Sequence, residues 1–354
     1  EILTLEDCLR IGIDNNLSLE GKRKEIQRSK YGVSENRSKL LPQINAIAGY
    51  SNNFDPPVSV TDGSSYGVPY NITQTLQHSA NAGLEMQMPL FNQTLYTSMS
   101  IAKVMEEISR LSYGKAREDV ILQISKMYYL GQVTAEQIML IKANIIRLEE
   151  LRDITQAFFD NGMSMEVDLK RVNINLENLK VQYDNAQAMM KQQLNMLKYI
   201  MDYPAEKEIA LTPVNTDSIT TVALTGLSEN IYELQLSQSQ VQLAERQKKI
   251  ITNGYIPSLS LTGSWRYAAY TDKGYHWFHS GPSNQWFRSY GVGLTLRIPI
   301  FDGLDKTYKI KKAMIDIENK RLAWEDARKN LQTQYLNAVN DLMNNQRNFK
   351  KQKD

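Results

Sequence analysis

The residues able to do covalent or metal chemistry are few. The chain carries one cysteine, Cys8, and three histidines, His78, His276 and His279. His276 and His279 are close enough in sequence to chelate, but no carboxylate or thiol accompanies them, so they read as loop residues rather than a metal site. Cys8 has no partner for nucleophilic work or for an intramolecular disulfide, and it reads as a small buried side chain on a helix. No glycine-rich phosphate loop is present; Gly291 and Gly293 fall inside an alternating stretch and suit a narrow strand face. No catalytic residue, metal or cofactor is therefore assigned, and the reading is not an enzyme. What remains is polarity laid out along strands, above all Glu85 and Gln87 in one stretch and Thr295 and Arg297 in another. Such residues wet one face of a sheet whose other face is apolar.

The elements that carry these residues follow from periodicity. Ala82, Leu84, Met86, Met88 and Leu90 alternate with Gly83, Glu85 and Gln87, which predicts a strand over 82–90. A partner strand is predicted over 43–51, beyond Pro42, with a loop over 52–79 between the two. Leu259, Leu261, Gly263, Trp265 and Tyr267 alternate with Ser258, Ser260, Thr262, Ser264 and Arg266, predicting a third strand over 256–267. A fourth is predicted over 290–300, with Val292, Leu294, Leu296 and Ile298 opposite Gly291, Gly293, Thr295 and Arg297. Trp265, Tyr267, Trp277, Trp286, Phe287 and Tyr290 cluster near the loop between strands three and four, where an interfacial aromatic girdle would lie.

The helices dominate the rest. Thr94–Asp160 contains no proline, and its apolar residues recur at three- and four-residue steps: Ile101, Val104, Ile108, Leu111, then Ile138, Ile141, Ile145, Leu148. That is the seam of a helix packed along its length. About 67 residues at 1.5 Å rise make a rod of roughly 100 Å, which must project from any globular core. Asn161-Gly162 stops it. Ser164 is placed as N-cap of a return helix, with Glu166 and Asp168 in its first turn. The return runs to Met201, with a seam at Leu176, Leu179, Tyr183, Ala186, Met190, Leu194, Leu197 and Met201. Shorter helices are predicted near 3–12, capped by Thr4, and over 18–40. The return falls short of the outgoing helix by about 29 residues, roughly 40 Å, which the 18–40 helix is placed to cover.

The pattern then repeats. Leu41-Pro42 matches Ile256-Pro257, and Met88-Pro89-Leu90-Phe91-Asn92 matches Ile298-Pro299-Ile300-Phe301-Asp302. The first repeat is assigned to 1–201, an irregular equatorial segment to 202–225 and the second repeat to 226–354. The second holds a helix over 228–251, the last two strands and a long helix over 303–354. No return helix follows that last one, so the second repeat is expected to be incomplete at its C-terminal end. The chain starts at Glu1 without Met, which fits a processed N-terminus, and Cys8 does not occupy a lipid-bearing first position.

Composition narrows the function classes. Of 354 residues 23% are charged, with formal net charge +2, a balance that argues against nucleic acid. No apolar run reaches the length of a transmembrane helix. Strands of about ten residues with one apolar, aromatic-ended face do match a membrane barrel stave. Four staves cannot close a barrel, and open edges are not tolerated in lipid, so the barrel must be shared between chains. Two chains give eight strands and a plugged lumen; three give twelve and room for a pore. The fold class is thus mostly α, with long coiled-coil hairpins and a shared transmembrane β-barrel of four strands per protomer.

In order and in duplication these motifs resemble the TolC-like outer membrane efflux proteins, the outer membrane factors. The likeness is carried by Leu3-Thr4-Leu5-Glu6-Asp7-Cys8-Leu9, Leu40-Leu41-Pro42, the two strand-to-helix joints and Asn161-Gly162-Met163-Ser164 with Val167-Asp168-Leu169. It spans essentially the whole chain. It implies a homotrimer embedded in outer-membrane lipid, with an α-helical barrel in the periplasm. It also implies helix tips docked on a periplasmic adaptor that serves an inner-membrane transporter, giving the exit duct of an efflux pump or a type I secretion system. On that basis Asn161, Gly162, Met163 and Ser164 are the adaptor-binding tip. Glu85, Gln87, Thr295 and Arg297 line the channel lumen, and Asp153, Asp160 and Glu166 are candidates for the periplasmic mouth. The acidic constriction of the family lies near its second tip, which the given sequence does not include, so no gate residues are assigned. A passive porin and a soluble coiled-coil scaffold are the alternatives; the long rods count against the first and the alternating strands against the second.

Overall fold

A computed structural model of the chain describes residues 2–55, 58–62, 67, 70–74, 76–214, 230–271 and 286–353. His276, His279 and Trp277 lie outside the described residues. Compact units cut across the two repeats: one comprises 1–28, 107–237 and 324–354, the other 29–106 and 238–323.

The first unit begins with β1 (Ile2–Leu3) and α1 (Leu5–Asn15). Thr4 caps α1 as predicted. The Asp7 amide donates to Thr4 Oγ1 at 3.2 Å and the Thr4 amide to Asp7 Oδ2 at 3.3 Å, a reciprocal capping box. Asn16 then starts α2 (Leu17–Ser38) by accepting the Leu19 amide at 3.0 Å, while its Nδ2 donates to the Ile200 carbonyl at 2.7 Å. β6 (Ala210–Leu211) pairs in parallel with β1, so the start of the predicted equatorial segment is joined to the N-terminus.

The hairpin consists of α3 (Gln93–Asp160, 68 residues) and α4 (Glu166–Met201, 36 residues). Every residue of the predicted return seam is buried or half-buried. Cys8, Leu19, Ile124, Leu197 and Met201 form a core from α1, α2, α3 and α4. α1 closes on that core at Gly12, where a Cβ would stand 2.3 Å from Ile124 Cδ1. Burial of Cys8 pushes its thiol up to about 11. A second stripe stays exposed on α4 at heptad steps, Val167, Ile174 and Val181, and another on α3 at Leu122, Tyr129, Val133 and Leu140.

The second unit is built on a four-stranded antiparallel sheet in the order β2-β5-β7-β8. Its strands are β2 (Gln43–Asn52), β5 (His78–Phe91), β7 (Ser258–Thr271) and β8 (Trp286–Arg297). The predicted loop over 52–79 instead contains a hairpin, β3 (Val58–Asp62) with β4 (Tyr70–Gln74). β8 ends at Arg297, before Ile298 and Pro299, earlier than predicted. α6 (Asp305–Lys353) follows Gly303 and Leu304, both at positive φ. The matched joints do the same work: Asn92 Oδ1 accepts the Thr94 and Leu95 amides at the start of α3, and Asp302 Oδ2 accepts the Lys306 amide at the start of α6. α5 (Tyr232–Asn253) is tied to α3 within this unit by Asn253 Nδ2 donating to Thr97 Oγ1 at 2.6 Å, both residues buried. No helix among the described residues is long and apolar enough to cross a membrane.

Candidate functional site

Register decides which side chains share a face. Glu85 stands opposite Asn45 on β2 and Ser264 on β7, and Ser264 stands opposite Gly291 on β8. One step along, Gln87 faces Gln43 and Thr262, and Thr262 faces Gly293. Further along, Thr295 faces Ser260 and Arg297 faces Ser258. Strict alternation therefore brings all four candidate lumen residues to one polar face. The reverse face carries Ile44, Ala46, Leu84, Met86, Leu261, Trp265, Val292 and Leu294 in matching rows. Trp265 and Tyr267 meet edge-on, with centroids 5.3 Å apart, toward the end of the sheet where Trp286 and Tyr290 lie. Phe287 departs from the predicted girdle: it pairs with Ala268, so alternation sends it to the polar side.

The polar face holds one interaction that periodicity alone did not pair. Arg266 Nη2 donates to Glu85 Oε1 at 2.5 Å, joining β5 to β7 and so the first repeat's hairpin to the second's. Gly83 is the Cα partner of Arg266, and a Cβ there would stand 2.3 Å from the Trp265 carbonyl oxygen. The absent side chain lets the strands close and leaves the guanidinium free to run along to Glu85. Arg266 was legible as polar-facing; its partner required the register.

The hairpin tip is built by a left-handed turn. Gly162 has φ +70°, the Gly162 amide donates to the Phe159 carbonyl at 2.9 Å, and the Met163 amide donates to the Phe158 carbonyl at 2.7 Å. This is a Schellman motif, and it satisfies the last carbonyls of α3. Ser164 is not the N-cap of α4. Met165 takes that position without a side-chain bond, because the turn swings Ser164 back over α3, where its Oγ donates to the Thr155 carbonyl at 3.4 Å. Glu166 and Asp168 occupy the first turn as expected. The tip is openly apolar: Met163 and Met165 are 76% and 74% exposed. The mouth candidates are not gathered into one acidic group. Asp153 pairs with Arg152 at 2.6 Å, Asp160 accepts from Gln156 at 2.8 Å, and Glu166 pairs with Lys170 at 2.7 Å.

No group of three or more metal-ligating side chains exists among the described residues. The chain pairs an amphipathic antiparallel sheet, polar on one side and aromatic-ended on the other, with a long two-helix hairpin, an architecture of channel-forming outer membrane proteins. The family model described as "Outer membrane efflux protein" matches residues 11–201. Outer membrane protein TolC of Vibrio cholerae is 21% identical over 319 residues, covering 88% of this chain and 66% of that protein. Among solved structures, CusC superposes with TM-score 0.76 at 16% identity, covering 98% of this chain and 78% of that one. The open-state MtrE outer membrane channel of Neisseria gonorrhoeae gives 0.68 at 20% identity, covering 96% and 72%. VceC of Vibrio cholerae gives 0.70 at 12% identity, covering 97% and 79%. The chain belongs to the outer membrane efflux protein family, and its place is the bacterial outer membrane. It spans about two thirds of the curated relative's length.

Proposed function

We propose that three copies of this chain close a twelve-stranded barrel in the outer membrane and continue it as a helical tunnel through the periplasm. The assembly is the exit duct of a tripartite efflux pump or a type I secretion system. The observation that carries this reading is the sheet: four strands, one apolar face, and outer edges at β2 and β8 with no strand beside them among the described residues. Unpaired edges are unsupportable in lipid, and edge-to-edge pairing of copies removes them. The exposed heptad stripes on α3 and α4 supply apolar faces that neighbouring copies can cover in the same assembly. Glu85, Gln87, Thr295 and Arg297 then line the lumen.

The tip over Asn161, Gly162, Met163 and Ser164 docks on a periplasmic adaptor, which an inner-membrane transporter serves; Asp153, Asp160 and Glu166 border the mouth. Exposed methionines suit such a contact, being apolar and adaptable. Deleting the gene should raise susceptibility to exported toxic compounds, and restoring it with Gly162→Val should fail to rescue although the oligomer persists. Full rescue by Gly162→Val would refute the docking role. An unchanged susceptibility profile, with uptake of small solutes lost instead, would favour the porin alternative.

A further inference from the structure

We propose that Glu85 and Arg266 act as a charge-cancelling pair that keeps the barrel's pore from selecting cations over anions, an inference that rests on the lumen assignment above. Three observations carry it. The pair lies on the polar face, and its side chains keep 46% and 43% of their accessibility, so both charges reach the water on that side. The ground beside them is uncharged and open. Gly291 and Gly293 lack side chains, and with Asn45 and Gln87 they leave an open depression of about 540 Å³ over the pair. Among the described residues of the four strands, no other full charge stands near on this face. Apart from these two, the polar face of the four described strands carries only Arg297. Arg297 lies six positions along β8 from Gly291, in the row of Glu85. Six residues at about 3.4 Å put it roughly 20 Å away, beyond the Debye length of about 8–10 Å in physiological salt.

The rival reading is a structural lock between the two hairpins. The geometry fits that poorly. The bond is single, from Nη2 to Oε1, and Arg266 Nε has no hydrogen-bond partner. A half-exposed, monodentate pair adds little to stability. Removing one partner, by contrast, leaves one uncompensated charge per chain at the same level of the pore.

Single-channel recording of the purified oligomer in planar bilayers under a KCl gradient separates the two. A local potential of about one kT multiplies one ion's concentration and divides the other's by about e, so the Cl⁻/K⁺ permeability ratio moves about sevenfold. Glu85→Gln is expected to raise that ratio about sevenfold and Arg266→Gln to lower it by a similar factor. The double variant Glu85→Gln/Arg266→Gln and the exchange Glu85→Arg/Arg266→Glu should both return to the wild-type ratio. A structural lock predicts that the two single variants act alike, since each breaks the same bond. Conducting channels whose single variants leave the ratio unchanged, or shift it in the same direction, overturn the proposal. A wild-type protein that forms no ion-conducting pore overturns the lumen assignment beneath it.

Discussion

Gly162 is where the backbone and the proposed docking role can be pulled apart. Its φ of +70° lies in the left-handed region, and a Cβ built there meets nothing within 4 Å. Steric collision is thus absent, and substitution acts through the backbone alone. An L-residue in that region costs about 1–2 kcal/mol, which multiplies local opening by about 5–30-fold. Gly162→Ala should therefore speed hydrogen exchange at the Gly162 and Met163 amides by that factor, because these amides close the turn on Phe159 and Phe158. Gly162→Asn should change exchange by less than about threefold, since asparagine tolerates the left-handed region. Gly162→Val, β-branched, should open the turn most. Exchange measured on the full-length oligomer by mass spectrometry reads all three. Wild-type exchange in Gly162→Ala would refute the strain reasoning. The asparagine variant then isolates contact from conformation: loss of export with an intact turn points to the surface of the tip, and retained export to its shape.

Other expectations concern the two units separately. Leu176→Ala removes a side chain only 2% exposed in the hairpin seam, and should cost about 2–5 kcal/mol, read as a lowered denaturant midpoint. Gly83→Ala places a Cβ against backbone rather than a yielding side chain, and should exceed the usual overpacking cost of about 1–3 kcal/mol, read as loss of heat-resistant oligomer on unheated gels. The hydrogen bonds of Thr4 hold the Asp7 carboxyl below its ordinary value. A depressed carboxyl stabilises above its unfolded value and loses that contribution as pH falls through the folded one, so amide protection at the start of α1 should fall on acidification, and Asp7→Asn should flatten that dependence. Cys8 should resist a maleimide at neutral pH until the first unit unfolds, because burial holds its thiol up to about 11.

Much of this architecture was legible because its periods are clean. The seam from Leu176 to Met201 is written at three- and four-residue steps, and Glu85, Gln87, Thr295 and Arg297 alternate with apolar neighbours, so helix and strand faces follow directly. The duplicated Pro–Φ–Phe–Asn/Asp joints told where strands pass into helices, and Asn92 and Asp302 do cap there. What was not legible depends on atoms distant in sequence or on turn geometry. Glu85 and Arg266 are 181 residues apart, and only the β5–β7 register brings them together. Ser164 has the composition of an N-cap, yet the Schellman turn at Gly162 spends that residue on α3 and leaves the position to Met165. The β3–β4 hairpin hid inside a stretch rich in Pro, Ser and Gly, where short polar strands look like loop. Contact units that mix both repeats were equally hidden, since a repeat in sequence does not say which copies of an element pack together.

The central claim is that copies of this chain complete one another's sheet. The mass of the purified protein in mild detergent tests it most directly, by native mass spectrometry. The account predicts a particle of three chains that dissociates only when the sheet is denatured; a stable, folded single chain would contradict it.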